Sequence, residues 1–268
     1  MMASYLNHFG LTHLPLGKST TQLWDSKALS EMSTRFQWLL DSPGVGVLTG
    51  EPGVGKTAAL RHLCQSLDPH QYQVIYHCET DFGRIDLYRQ LAIDFGLEPV
   101  YRRAEMWRML KQHIQNLHET QHRLPVWIID EAQNLTTDFF RDFPSFINFA
   151  FDSKPLMTIW FVGHTSLESL LKRNVYSALH SRVQLFLKFE PLDDPDEFKK
   201  MIMLAFNNAG ATSTMVTDTG LNLIRLASHG RFRQAGQIIN VALQLGAKQN
   251  LNHLPDNLIE QSIKELQR

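Results

Sequence analysis

Short apolar runs alternate with longer amphipathic segments through the first 190 residues of the chain. The apolar runs are typical of buried strands, and they predict strands at residues 44–48, 72–78, 126–129, 156–162 and 182–189. The segments between them predict helices; in residues 104–117, for example, Met106, Leu110 and Ile114 recur with helical spacing. Strands that alternate with helices in this way predict an α/β fold with a doubly wound parallel sheet.

The pattern changes after Pro191, where the strand signal ends. Helices are predicted at about residues 194–207, 217–227, 231–246 and 255–266. We therefore expect an α/β core with an N-terminal arm in residues 1–190 and a small all-helical lid in residues 191–268. The arm mixes apolar side chains with Gly10, Pro15 and Gly17, so we expect it to be extended and to pack on the core.

The charge of the chain is nearly balanced, with 26 basic and 27 acidic residues and a net charge of −1. Such a balance excludes a global field that attracts nucleic acid or an anionic membrane, so a polyanion site has to be a local patch. Two cysteines, Cys64 and Cys78, provide no disulfide framework and suit a reducing compartment. No apolar run approaches the ~18 residues of a membrane span, and the N-terminus lacks a signal-peptide pattern. We therefore expect a cytoplasmic protein that makes no contact with a membrane.

Residues 50–57 fit the pattern G-x-x-x-x-G-K-[ST] at every constrained position, between a predicted strand and a predicted helix. In that context glycines let the backbone approach phosphates, and the helix N-terminus points its positive dipole end at them. Lysine supplies a positive charge to the β- and γ-phosphates, and the threonine hydroxyl supplies an oxygen to Mg²⁺. The sequence therefore predicts a nucleoside triphosphate site formed by Gly50, Glu51, Pro52, Gly53, Val54, Gly55, Lys56, Thr57 and Ala58.

Two adjacent acids, Asp130 and Glu131, follow the apolar strand at 126–129. Two carboxylates at the end of a buried strand are costly unless a cation is present. We expect Asp130 to hold Mg²⁺ together with Thr57, and Glu131 to orient and deprotonate the attacking water. The plain alternative is a pair of carboxylates that cap a turn.

Further polar residues follow the later strands. His164 ends the fourth strand, where it can sense the γ-phosphate, or it is an ordinary polar loop residue. Arg182 opens the fifth strand and can reach the γ-phosphate of a neighbouring subunit, with Arg173 as the alternative. After Gly230, Arg233 can fold back on the γ-phosphate of its own subunit, with Arg231 as the alternative.

These motifs, in this order, resemble those of the AAA+ ATPases, and the similarity runs from about Tyr5 to Leu266. Within that family, TGEPGVGKT, IIDEAQNL and FVGHTSLESLL are similar to the branch that holds the ExeA-like secretion ATPases and the TnsC/TniB-type transposition regulators. The resemblance implies a P-loop core with a five-stranded parallel sheet in the order 5-1-4-3-2, a helical lid, and ATP with Mg²⁺ as ligands.

The two groups in this branch imply different partners. Chains of the ExeA-like group usually carry a membrane span after the ATPase, and this sequence ends at Arg268, so we expect the transposition type. That type implies a homo-oligomer, as a ring or helical filament, which assembles on duplex DNA and recruits or stimulates a transposase. By analogy, Arg84, Arg102 and Arg103 are the candidates for contacts with DNA phosphates. An ExeA-like assembly factor for a secretion or envelope machine and a phage or plasmid DNA loader are the alternatives.

Overall fold

The computed structural model describes residues 4–17, 23–80, 83–150, 154–211 and 214–267. Its strands are β1 Val45–Gly50, β2 Tyr72–His77, β3 Leu124–Ile129, β4 Thr158–Gly163 and β5 Val183–Phe189. They form one parallel sheet in the order β2-β3-β4-β1-β5. This is the predicted order 5-1-4-3-2, counted from the other edge of the sheet, so the α/β fold class is confirmed.

The helices that precede, follow or connect these strands begin and end close to the predicted positions. In chain order the α-helices are α1 Ser4–His8, α2 Lys27–Asp41, α3 Lys56–Gln65, α4 Arg84–Asp94, α5 Arg103–Glu119, α6 Thr137–Phe146, α7 Ser166–Leu171, α8 Ser177–His180, α9 Pro195–Asn208, α10 Asp218–Ser228, α11 Phe232–Lys248 and α12 Asp256–Leu266. Short 3₁₀ turns cover Ala132–Asn134 and Asn174–Tyr176. No helix within the described ranges is both long enough and apolar enough to cross a membrane.

The sequence predicts a helix that is capped by Thr136 or Thr137 and runs to about Phe151, a residue outside the described ranges, whereas α6 ends at Phe146. The ammonium group of Lys111 lies 2.8 Å from the carbonyl oxygens of both Ser145 and Asn148. A cation that binds the last carbonyl groups of a helix supplies the partners that a further turn would have supplied. A lysine on α5 thus binds carbonyl groups in the last turn of α6 and just beyond it, a contact that local pattern does not reveal.

Contacts divide the chain into two compact units. One contains Ser30–Gly50 and Ala59–Phe189, and therefore the whole sheet. Its core is unusually aromatic around the fully buried Trp127, against which Tyr88, Phe143 and Phe146 pack with ring centroids 6.0–6.4 Å away. These rings pack α4 and α6 against β3.

The other unit contains Met1–Leu29, Glu51–Ala58 and Glu190–Arg268. Its core is formed by α9 to α12 together with Leu6 and Leu11 of the N-terminal segment. Residues 4–8 are helical rather than extended, and the Tyr5 hydroxyl donates a 2.8 Å hydrogen bond to Oδ1 of Asn240 on α11. The boundary between core and lid at residue 190 stays a prediction.

Candidate nucleotide site

Three strands bring candidate residues to one edge of the sheet. Gly50 ends β1, Gly163 ends β4, and Asp130 follows the last residue of β3. Strand β4 lies between the other two, with Thr49 opposite Gly163 and Ile129 opposite Phe161. Because parallel strands have their carboxyl ends at the same edge, the first residue of the glycine-rich motif and the acidic pair belong to one end of this sheet.

The glycine-rich motif forms a compact loop between β1 and α3. Gly53 and Gly55 have φ angles of 88° and 98°, which side-chain-bearing residues rarely adopt. The ammonium group of Lys56 donates a 3.0 Å hydrogen bond to the carbonyl oxygen of Glu51, so the loop closes on itself. Helix α3 then begins at Lys56 and directs its N-terminus back at the loop. This is the backbone shape that binds phosphate groups.

The start of α11 packs against this loop within the same unit. The Arg233 peptide N–H lies 3.2 Å from the carbonyl oxygen of Gly53, and a guanidinium nitrogen of Arg231 lies 3.2 Å from a carboxylate oxygen of Glu51. The Arg233 side chain is exposed. Both predicted arginines are therefore at the loop, Arg231 through its side chain and Arg233 through its backbone.

The acidic pair has two different environments. Asp130 is 5% exposed, and its carboxylate accepts hydrogen bonds from the Glu131 peptide N–H at 2.9 Å and from the Tyr76 hydroxyl at 3.0 Å. Burial and the Asp130 carboxylate raise the pKa of Tyr76, so the hydroxyl keeps its proton and remains a donor. Glu131 is exposed, with a left-handed backbone at φ 51° and ψ 36°. Such a conformation costs a non-glycine residue about 1–2 kcal/mol and is typical of functional sites.

Two residues of this group escaped sequence reasoning, Tyr76 and Gln133. Tyr76 lies on β2, opposite Ile128 of β3. The sequence feature that could have identified it is a polar side chain near the end of a strand that neighbours β3. The Gln133 side-chain amide lies 2.6 Å from a carboxylate oxygen of Glu131, and its oxygen lies 3.0 Å from the His164 peptide nitrogen. Nothing in the local pattern distinguishes Gln133 from an ordinary turn residue.

His164 and Arg182 lie where the strand pattern predicts them. The exposed His164 ring has Nδ1 3.4 Å from the Ser166 peptide nitrogen, at the start of α7. Arg182 immediately precedes β5, and its guanidinium donates a 2.9 Å hydrogen bond to the carbonyl oxygen of Ala178. Arg173 is exposed at the end of α7. The roles predicted for these three side chains stay predictions.

The candidates for DNA contact differ in how far they are engaged. Arg103 forms an ion pair with Asp142 and lies 5.0 Å from the centre of the Trp107 ring. The Arg102 side chain is 78% exposed, with Glu105 3.6 Å away. Arg84 is the first residue of α4, and its side chain lies outside the described part of the structure. Arg102 therefore stays accessible and remains a candidate for phosphate contact, whereas Arg103 stabilises the contact between α5 and α6.

The residues expected to hold Mg²⁺ supply oxygen donors, a carboxylate from Asp130 and a hydroxyl from Thr57 in the first turn of α3. Among the described residues no group of three or more His, Cys, Asp or Glu side chains is arranged to hold a metal ion. Magnesium in nucleotide sites takes one or two protein oxygens and completes its shell with phosphates and water. A carboxylate and a hydroxyl are each oxygen donors of the kind that Mg²⁺ binds.

Comparison with known proteins agrees with this geometry. The family model for the AAA domain matches residues 40–171, which include the glycine-rich loop and the acidic pair. Residues 40–171 are thus similar to an AAA domain over just under half of the chain. Together with the fold, this match supports an AAA+ ATPase in general.

A relative of this chain is the general secretion pathway protein A of Aeromonas hydrophila, 26% identical over 246 residues. The match covers 89% of this chain but 44% of that protein, so the chain spans less than half the length of its relative.

Two solved structures from Aeropyrum pernix have the same fold. The ORC1 protein in complex with DNA has a TM-score of 0.71 at 16% identity, over 94% of this chain and 68% of that one. The ORC2 protein, solved as complexes with ADPNP and ADP, has a TM-score of 0.69 at 13% identity, over 97% and 71%. At such identities the likeness is one of fold.

Proposed function

We propose that this chain binds ATP with Mg²⁺ and hydrolyses it. The observation that carries the proposal is the common sheet edge at which β1 enters the phosphate-binding loop and β3 presents Asp130 and Glu131. The loop provides backbone N–H groups and the Lys56 charge for the phosphates, as its sequence and positive φ angles indicate. ATP binding and ATP hydrolysis are thereby assigned to different residues of the same edge.

The two carboxylates have different tasks in this proposal. The buried Asp130, oriented by two hydrogen bonds, holds Mg²⁺ with Thr57, and the bound ion neutralises charge on the phosphates. The exposed Glu131 orients the attacking water and accepts its proton. His164 senses the γ-phosphate from the end of β4. Arg233, or Arg231, contacts the γ-phosphate from the start of α11, because that segment already touches the loop.

The finer proposal is a cytoplasmic transposition regulator that forms an ATP-dependent ring or helical filament. Arg182, with Arg173 as the alternative, reaches the γ-phosphate of the neighbouring subunit. The oligomer binds duplex DNA without sequence preference and recruits or stimulates a transposase. The motif resemblance supports this proposal, as do the exposure of Arg102 and the fold shared with a protein solved on DNA. Repetition around an oligomer lets two or three phosphate contacts per subunit suffice.

A second candidate is an ATPase that assists the assembly of a secretion or envelope machine. The specific observation in its favour is the 26% identity to general secretion pathway protein A, which extends over 89% of this chain. That candidate requires a protein partner at the membrane and no affinity for DNA.

The test combines ATPase assays with electron microscopy of the Glu131→Gln variant, which we expect to bind ATP and stay assembled because it cannot hydrolyse it. Filaments or rings on duplex DNA that need ATP and disappear at high salt support the transposition proposal. Full turnover by Glu131→Gln contradicts the role of Glu131. Absence of DNA binding, with ATP-dependent capture of an inner-membrane protein, replaces the first candidate by the second.

A further inference from the structure

The side chain of Gln133 connects the ends of β3 and β4. Its Nε2 lies 2.6 Å from Oε2 of Glu131, and its Oε1 lies 3.0 Å from the backbone nitrogen of His164. The orientation of this amide is determined by its partners: the carboxylate only accepts hydrogen bonds, so it faces Nε2, and the peptide N–H only donates, so it faces Oε1. Both ends of the amide are therefore used.

The backbone around Gln133 holds this side chain in place. Gln133 is the middle residue of the 3₁₀ turn Ala132–Asn134, which starts after the left-handed Glu131. Ala132 is fully buried and Leu135 is 7% exposed, so the turn is anchored in the core on both sides of Gln133. The Thr80 hydroxyl donates a 2.9 Å hydrogen bond to the carbonyl oxygen of Glu131 and fixes the same turn from the β2 side.

Gly163 leaves the space in which the amide lies. A Cβ atom added at Gly163 would clash with Oε1 of Gln133 and would lie 3.2 Å from a methyl group of Leu167. The φ angle of Gly163 is not in the left-handed region, so the backbone by itself does not require glycine here. A side chain at position 163 would therefore displace the amide of Gln133, which lies 30 positions earlier.

We propose that Gln133 is a positioning residue for Glu131 and that it couples the direction of the Glu131 carboxylate to the end of β4. The inference rests on the proposed function, in which Glu131 activates water. An exposed glutamate otherwise samples several rotamers, and water activation needs one of them. The amide holds the carboxylate through a charge-assisted hydrogen bond and is itself held by the backbone that precedes the His164 side chain. A displacement of β4 on nucleotide binding therefore also moves the carboxylate of Glu131, which is the proposed general base.

The experiment is a double-mutant cycle in the intact chain with Gln133→Ala, Gly163→Ala and the double variant. Each single change should lower kcat about 10-fold to 100-fold, because a misplaced reacting group costs up to about 10²-fold. The KM for ATP and the affinity for ATP should stay within about twofold, since neither residue belongs to the phosphate-binding loop. The double variant should lose little more activity than Gln133→Ala alone, because the closest contact of the added methyl group is with the glutamine and only the 3.2 Å contact with Leu167 remains.

Two further variants separate positioning from a general effect on the fold. Gln133→Glu keeps the length of the side chain but removes the donor and adds a like charge, so it should lose kcat as Gln133→Ala does. Asn134→Ala alters an exposed neighbour in the same turn and should keep the wild-type kcat. The backbone ¹⁵N–¹H resonance of His164 should shift in both Gln133→Ala and Gly163→Ala.

The outcomes distinguish this inference from the function on which it rests. A wild-type kcat in Gln133→Ala, or independent losses that multiply in the double variant, overturns the inference alone, provided that the wild type hydrolyses ATP and Glu131→Gln does not. A wild-type chain without ATPase activity overturns the proposed function and this inference with it. If Gly163→Ala does not fold, the comparison of Gln133→Ala, Gln133→Glu and Asn134→Ala decides the question.

Discussion

The hydroxyl group of Tyr76 donates a 3.0 Å hydrogen bond to Oδ2 of Asp130, across the boundary between β2 and β3. The second carboxylate oxygen of Asp130 accepts the Glu131 peptide N–H, so both oxygens of this nearly buried group have a partner. A buried carboxylate with fixed partners keeps one orientation, which is what a metal-binding carboxylate needs.

Removal of this hydroxyl tests the arrangement. We expect Tyr76→Phe to raise the Mg²⁺ concentration for half-maximal ATPase activity about 10-fold, because loss of an outer-shell hydrogen bond typically weakens metal binding by about 10–100-fold. A Mg²⁺ titration of the ATPase rate measures the shift. Tyr72→Phe, on the same strand, should leave the titration curve unchanged. Equal curves for Tyr76→Phe and the wild type would show that Tyr76 does not orient Asp130.

The role proposed for the glycine-rich loop predicts how a change at Lys56 affects the affinity for ATP. In Lys56→Ala the charge directed at the β- and γ-phosphates is lost, and so is the hydrogen bond to the carbonyl oxygen of Glu51 that closes the loop. We expect no measurable affinity for a fluorescent ATP analogue, with the thermal unfolding midpoint retained. Unchanged affinity would refute the assignment of the loop.

A matched control for that experiment lies farther along the same helix. Arg61→Ala removes a positive charge from an exposed position of α3, about one and a half turns beyond Lys56, and should keep wild-type affinity. A loss of affinity in Arg61→Ala as well would mean that the net charge of α3, rather than the Lys56 side chain, governs binding.

Arg182 makes a prediction about assembly. If it completes the site of a neighbour, Arg182→Ala alone should lose about 10³-fold in kcat, as expected for an arginine that stabilises the transition state. Mixed with Glu131→Gln, which is inactive but still carries Arg182, it should regain activity, because some sites then combine an intact Glu131 with the neighbour's arginine. The ATPase rate of each pure variant and of the mixture is the measurement.

Two results would remove Arg182 from this role. Normal activity of pure Arg182→Ala would exclude it directly. Recovery in mixtures of Arg173→Ala and Glu131→Gln, with none in the Arg182→Ala mixture, would transfer the role to Arg173.

His77 makes a prediction about stability and pH. Its Nδ1 accepts a 3.0 Å hydrogen bond from the Trp127 indole, so Nε2 carries the proton and lies 2.5 Å from the Asp94 carboxylate. Burial lowers the pKa of His77 from 6.5, and the hydrogen bond to Asp94 opposes that effect only in part. The folded protein therefore favours the neutral ring. This preference contributes fully to the free energy of unfolding above pH 6.5, and the contribution is lost as the pH falls from 6.5 through the lower pKa of His77 in the folded protein.

Urea unfolding between pH 7.5 and pH 5.5 measures this effect, and the free energy of unfolding should fall as the pH is lowered. The variant His77→Gln retains an acceptor for the Trp127 indole and a donor for Asp94, but it does not titrate. It should therefore show a smaller fall than the wild type. Since burial also lowers the pKa of His113, part of the dependence should remain. An identical pH dependence in the two proteins would contradict the proposed origin.

Much of the fold followed from local pattern. The apolar runs predicted five strands in the positions where they are found, with β4 shifted from 156–162 to Thr158–Gly163. The alternation of strands and helices predicted a parallel sheet, because short connections through helices leave few other arrangements. The helical character of residues 4–8 and the early end of α6 were not predicted, since packing partners distant in sequence determine both.

At the candidate site, the sequence alone identified the residues whose chemistry depends on their spacing within one segment of the chain. The loop at Gly50–Thr57 and the acidic pair after β3 are such cases, because a turn and the residue after a strand are local features. Tertiary structure decided which side chains orient them. The hydroxyl group of Tyr76 contacts Asp130 from β2, and the amide of Gln133, beside Gly163, contacts Glu131 across a turn. Arg231 approaches Glu51 from 180 positions away, and Arg103 forms an ion pair with Asp142. Hydrogen bonds and ion pairs require distances of a few ångströms, and such distances between remote segments exist only once the chain has folded.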